Sequence, residues 1–264
     1  MKKLSRLYMA LVFIFLYAPI VVMILISFNA GESTAHMTGF SLRWYQQMAR
    51  DENTLNALKN TIVLSALSAV ITTVLGTLAS VGISRMRSRR LQRVVRNVTN
   101  LPMMNPDIVT GISLMLLFVF TAQMLGRDSA LGFGSLLIAH ITFSLPYVIM
   151  SVLPKINQLD RNVPEAAMDL GCTPLQSFFK VELPFISPGI ITGMIMAFTL
   201  SFDDFVISNF TSGASYETLT IHIYSMIKKS VKPNIYALST LIFIVVMALI
   251  LAYNLLNDRG REKR

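Results

Sequence analysis

Residues Leu58–Ser84 read LKNTIVLSALSAVITTVLGTLASVGIS, with Lys59 at the start and no further ionisable group before Arg85. Leu64, Leu67, Val70, Ile71, Val74 and Leu75 are among the residues that leave a helix here without a charged face. A helix needs about 20 mostly apolar residues to cross about 30 Å of hydrocarbon. This run meets that length and predicts a membrane span. Upstream, Leu7–Phe28 is interrupted only by Pro19. It ends in Phe28-Asn29-Ala30 rather than a small-x-small cleavage site, so it reads as a retained span. Downstream come Val94–Ala122, broken by Pro102 and Pro106, then Leu131–Leu153, Ile186–Asn209 and Tyr236–Leu256. The expectation is an all-α membrane protein of six spans, a single membrane domain over residues 1–264.

Composition supports this. Charged residues make up 14% of the chain and apolar residues 53%, whereas an average soluble domain carries about 25% charged residues. Such hydrophobicity excludes intrinsic disorder, and the lone Cys172 excludes a disulfide scaffold. His36, His140 and His222 are far apart and lack metal-ligand spacing, so no metal site is expected. The net charge of +9 sits in short segments between apolar runs. A nucleic-acid binder would instead cluster its basic residues with aromatics on a soluble face.

Six spans put both termini on one side. Placing them in the cytoplasm puts most of the 23 basic residues inside, as the positive-inside rule requires. The inner segments carry Lys2, Lys3 and Arg6, the Arg85–Arg96 cluster, Lys155, Arg161 and Lys180, and the basic C-terminus. Lys228, Lys229 and Lys232 are the discordant outer patch. In the first outer segment, Trp44 and Tyr45 suit a helix lying among lipid headgroups.

No G-x-x-x-x-G-K-[ST] loop, G-x-S-x-G elbow or H-E-x-x-H helix occurs, so nucleotide chemistry and ordinary hydrolysis belong elsewhere. The inner segment from about residue 160 to 184 reads as two short helices. Asn162 is the expected cap of the first, with Glu165 at its third position and Gly171 closing it in a left-handed conformation. Thr173-Pro174-Leu175-Gln176 has the form of a capping box with proline at the first helical position. Pro184 is expected to stop the second helix. Ala166, Ala167, Leu170, Phe178, Phe179 and Val181 leave apolar surface outside the bilayer, to be covered by the rest of the bundle or by a partner.

Glu165-Ala166-Ala167-x-x-x-Gly171, followed after nine residues by Val181-x-Leu183-Pro184, resembles the EAA motif of ABC-importer permeases, with Val181 where isoleucine is usual. Tyr17-Ala18-Pro19, Asn105-Pro106-Asp107-Ile108, Leu200-Ser201-Phe202-Asp203-Asp204 and Ser215-Tyr216-Glu217 are similar to the spermidine/putrescine (PotC-type) permeases of the inner membrane. The resemblance covers nearly the whole chain and implies the type I, MetI-like importer fold. It further implies a second related permease, two copies of a cytoplasmic ATPase and an extracytoplasmic polyamine-binding protein. ATP and Mg would act on the ATPase, and this chain would carry no cofactor and perform no chemistry. Glu165, Ala166, Ala167 and Gly171 would form the ATPase docking site.

Carboxylates within spans are costly and face a cavity or a partner. Asp107, Asp203 and Asp204 lie in predicted spans whose one basic residue is Arg96, at the inner end of the third, an imbalance that a cationic solute would explain. On a continuous helix Ser201, Asp204, Ser208 and Thr211 align as one polar stripe, making Asp204 the expected pathway carboxylate, with Asp203 turned toward a neighbour. Asn105-Pro106-Asp107 reads as a helix restart, its acid favourable to the helix dipole, or as a second pathway carboxylate. Phe202, Phe205, Tyr147 and Tyr224 are candidates for cation–π contact, against ordinary packing. Glu217 and Tyr216 are candidates for meeting the binding protein or the incoming amine. The alternatives are a permease for another small cation or solute, an ion-coupled transporter, and an intramembrane aspartyl protease. The last lacks the Gly-x-Gly-Asp and Pro-Ala-Leu elements seen in one such family.

Overall fold

In hydrocarbon every backbone N–H and C=O must be satisfied within the protein, and a helix does this locally. The computed structural model of the protein describes residues 2–31, 36–126, 131–160, 162–229, 234–244 and 247, and these form helices with no β-strand among them. In chain order the helices are α1 (Lys2–Ser27), α2 (Arg43–Arg50), α3 (Glu52–Ser84), α4 (Arg89–Met104), α5 (Asp107–Met124), α6 (Phe133–Gln158), α7 (Asn162–Asp169), α8 (Pro174–Asp203), α9 (Val206–Thr211), α10 (Leu219–Lys229) and α11 (Asn234–Ile244). Five of them, α1, α3, α5, α6 and α8, are long and apolar enough to cross a membrane. Of the expected span Tyr236–Leu256, α11 covers the first part, and most of the remainder lies outside the described residues.

The third and fifth predicted spans differ from expectation. Residues 94–122 are not one interrupted span. Pro106 supplies no N–H and forces Asn105 into an extended conformation (ψ 142°), so α4 ends and α5 begins afresh at Asp107. The apolar spanning helix is α5 alone. Residues 186–209 are likewise not one helix, because α8 ends at Asp203 and α9 restarts at Val206.

The chain forms two compact units, Met1–Asn56 with His222–Arg264, and Ala57–Ile221. In the first unit, α1 ends in a turn where the chain doubles back through an antiparallel bridge between Asn29 and Phe40. Trp44 is buried there, contrary to its expected headgroup position. Its indole N–H donates to the Asn29 carbonyl at 2.6 Å, and Tyr45 Oη is 2.7 Å from Ser27 Oγ. A buried indole needs such an acceptor, and the turn that follows α1 supplies it.

In the second unit the main packing is α6 against α8. Ala69, Val148, Val152, Ile186 and Ala197 form one buried cluster there. The close approach depends on Gly189 and Gly193, spaced one turn apart on α8. A Cβ on Gly189 would stand 2.8 Å from the Ser151 carbonyl, and one on Gly193 3.3 Å from Val148 Cα. Small residues at this spacing let membrane helices touch through their backbones.

Candidate functional site

Two places in the second unit carry unusual chemistry: the break between α8 and α9, and the α7–α8 segment. At the break, Asp204 is extended (φ −69°, ψ 125°) and its carboxylate folds forward over the start of α9. Oδ1 accepts from the Ile207 N–H at 3.2 Å and Oδ2 from the Ser208 N–H at 2.7 Å. The Thr220 hydroxyl donates to the Asp204 carbonyl at 2.7 Å. Both carboxylate oxygens therefore satisfy donors that the helix restart would otherwise orphan.

His140 on α6 completes the arrangement. Its Nδ1 is 2.7 Å from Ser201 Oγ on α8, and its Nε2 is 3.0 Å from Ser208 Oγ on α9 and 3.6 Å from Asp204 Oδ2. The imidazole is 1% exposed and the Asp204 side chain 7%. One ring thus holds helices on both sides of the break, since each nitrogen can pair with a hydroxyl that donates or accepts. Ser135 Oγ adds a bond to the Thr211 carbonyl at 2.9 Å. The Ser201–Asp204–Ser208 association expected from a continuous helix exists, but a buried histidine and a broken backbone create it. The spacing of His140 matches no metal site, and its role here is set by position rather than by a ligand pattern. An ionisable ring in the middle of an apolar run was the available signal.

The other predicted residues are placed differently. Asp203 is exposed at the last position of α8, and Asp107 is exposed at the first position of α5, the helix restart expected of it. Neither side chain has a hydrogen bond or ion pair among the described residues. Tyr147 is half-buried, its ring 5.8 Å from Phe143, beside the Ala139–Phe143–Ile207 cluster. Phe202 stacks on Phe198 at 5.9 Å. Tyr216 donates to the Asn60 carbonyl at 3.0 Å, and Asn60 Nδ2 donates to the exposed Glu217's carbonyl at 3.1 Å. Burial pushes the Tyr216 phenol above its ordinary pKa. Tyr224, on α10, is half-exposed and belongs to the first unit.

The α7–α8 segment follows its sequence closely. Gly171 has φ +92°, and bonds from Cys172 N to Ala167 O (3.1 Å) and Gly171 N to Met168 O (2.9 Å) close α7 in a Schellman turn. Thr173 Oγ1 accepts from the Gln176 N–H and Gln176 Oε1 from the Thr173 N–H, the expected capping box. Two expectations fail. The capping oxygen of α7 comes from Asp160, which accepts from the Asn162 N–H at 3.0 Å, and Asn162 is itself helical. Pro184 does not stop the helix. A π-helical turn over Phe178–Glu182 precedes it, with Leu183 N bonding back to Phe178 O, and this shift of register carries the chain past the proline. Ser177 Oγ donates to the Pro164 carbonyl at 3.1 Å, folding the two helices together, and Glu182 receives Arg85 at 2.7 and 2.9 Å. Glu165, Ala166 and Gly171 are exposed, Ala167 is half-buried, and Leu170 stands 88% exposed beside them.

Residues 72–262 match the model of the binding-protein-dependent transport system inner membrane component family. The chain is 40% identical over 230 residues to the putrescine transport system permease protein PotI of Escherichia coli (strain K12), covering 87% of this chain and 82% of that one. It is 34% identical to the spermidine/putrescine permease PotC of Haemophilus influenzae, over 98% of both chains. Among solved structures it is similar to a bacterial ABC transporter involved in import of the acidic polysaccharide alginate, with a TM-score of 0.75 at 16% identity over 97% of this chain and 95% of that one. The inward-facing MetNI methionine ABC transporter gives 0.55 at 16% identity, over 77% and 95%.

Proposed function

The chain belongs to the family of binding-protein-dependent transport system inner membrane components, and from this premise we propose that the solute it carries is a polyamine, putrescine or spermidine. As an ABC importer permease it is a multi-pass protein of the inner membrane. The observation that carries the polyamine assignment is its 34–40% identity, over nearly its whole length, to permeases named for those solutes. Fold alone does not, since a neighbour of the same fold serves an acidic polysaccharide.

In this reading residues 1–264 form one membrane domain of six spans with both termini in the cytoplasm. The chain pairs with a second related permease, receives its solute from an extracytoplasmic binding protein and docks two ATPase copies. ATP and Mg act on the ATPase, whose hydrolysis alternates the path between outward and inward access. Glu165, Ala166, Ala167 and Gly171 meet the ATPase. The small side chains allow close approach, and the exposed Leu170 and Phe179 supply apolar contact.

Asp203 and Asp107 are the carboxylates left to attract the cation. Asp204 spends both oxygens on the backbone of α9 and holds the break that ends α8 at Asp203. Tyr147, Phe202, Tyr224 and Glu217 remain candidates along the path. Uptake of labelled putrescine and spermidine tests the assignment. It should require this chain and ATP, and it should fall in Asp203→Asn at unchanged membrane levels. Loss of neither amine on deletion refutes the polyamine assignment and leaves the importer fold with another solute.

A further inference from the structure

Helix α4 joins the end of α3 to the start of α5, yet is too polar to be a span itself. At 3.6 residues per turn its side chains sort into three stripes. Gln92, Val95 and Thr99 are half-buried against the protein. Val95 packs beside Ile83, Ile149 and Leu153, and Gln92 Nε2 donates to the Ile83 carbonyl at 3.1 Å. Leu91, Val94, Val98 and Leu101 form a second stripe in which each residue is more than half exposed. Arg89, Arg93 and Arg96 form a third, also exposed, about 150° around the helix from the apolar one. Arg85 is neutralised by Glu182, whereas Arg87, Arg89, Arg90, Arg93 and Arg96 have no carboxylate partner among the described residues.

We propose that α4 is an interfacial helix that binds anionic phospholipid headgroups through Arg89, Arg93 and Arg96, while Leu91, Val94, Val98 and Leu101 enter the acyl boundary. The inference rests on the chain spanning a membrane and not on which solute it carries. Both its ends are tethered to helices long and apolar enough to cross a membrane, α3 closing at Ser84 and α5 opening at Asp107, which keeps α4 near the bilayer surface. An acidic soluble partner would satisfy the guanidiniums and leave the apolar stripe in water, whereas the bilayer interface satisfies both. The uncompensated positive charge selects anionic over zwitterionic lipid. The forked guanidinium matches a phosphodiester bidentately.

The test equilibrates the full-length chain with vesicles of mixed phosphatidylglycerol and phosphatidylcholine and counts retained lipid by mass spectrometry. The native chain should prefer phosphatidylglycerol, and R89Q/R93Q/R96Q should lose about fivefold of that preference for each arginine removed. The R89K/R93K/R96K variant, which keeps the charge, should retain most of it. Raising salt from about 0.1 M to about 1 M, which shortens the screening length from about 10 Å to about 3 Å, should erase the native preference without any substitution. An unchanged lipid ratio in the folded Gln variant, or a native preference indifferent to salt, overturns the proposal. A Gln variant that keeps its lipid ratio but no longer copurifies with its ATPase also overturns it, making the stripe a protein-docking face.

Discussion

Replacing Asp204 by alanine removes the acceptor of two backbone N–H groups, at 2.7 and 3.2 Å, in a site where the side chain is only 7% exposed. Water cannot readily replace the carboxylate there. A hydrogen bond to a charged group contributes about 1.5–3 kcal/mol. Losing one strong and one longer bond, with partial relief from the neighbouring serines, costs about 3 kcal/mol, more than a hundredfold in the equilibrium that keeps the break formed. For a chain of this size that corresponds to a fall of about 6–12 °C in Tm. Asp204→Asn keeps one acceptor oxygen and asparagine is itself a good cap, so its loss should be about 1 kcal/mol. The assay is thermal stability of the detergent-purified chain beside uptake normalised to membrane level. The structure predicts that Asp204→Ala loses stability and uptake together and that Asp204→Asn retains most of both. If Asp204→Ala melts like the native chain while uptake vanishes, the carboxylate is serving the solute and the capping account is wrong.

Three further outcomes follow from the same geometry. His140→Phe should lower the Tm by several degrees, since a phenyl ring leaves Ser201 and Ser208 without their shared partner; an unchanged melt would show that the ring does not hold the break. Ala166→Trp should abolish copurification with the ATPase while leaving the chain's own Tm within a degree or two, because Ala166 is exposed at the surface of α7; intact copurification would place docking elsewhere. Gly171→Ala should cost about 1 kcal/mol, as φ +92° is strained for any residue with a Cβ. Nothing stands within 4 Å of that position, so a much larger loss in the melt would mean that the turn is held by contacts other than its backbone.

Local punctuation carried most of what the sequence revealed. The Thr173–Gln176 capping box, the Gly171 turn and the restart at Asp107 are each set by a few adjacent residues, and each forms as its chemistry requires. Where a distant group decides the backbone, adjacent residues were silent. Phe202–Phe210 contains no proline or glycine, and its break is held by His140, which lies far off in the chain. Pro184 shows the reverse case, a strong stop signal absorbed by a widened helical turn. Trp44 matched the composition of an interfacial anchor, yet the carbonyl at the end of α1 gave its N–H a buried partner. The polar group at α8–α9 was therefore half legible: its serines and aspartate came from spacing, its imidazole and its burial from packing.

In the proposed reading this permease carries polyamines past an exposed Asp203, with Asp204 holding the helix break beside it. The most direct measurement is ATP-dependent uptake of labelled putrescine and spermidine by the native host with the gene deleted, restored, or restored as Asp203→Asn. The expected results are loss on deletion, full recovery with the native chain, and uptake reduced at least tenfold with Asp203→Asn at equal membrane level. Uptake of both amines that survives deletion would contradict the assignment, and full recovery with Asp203→Asn would contradict the path.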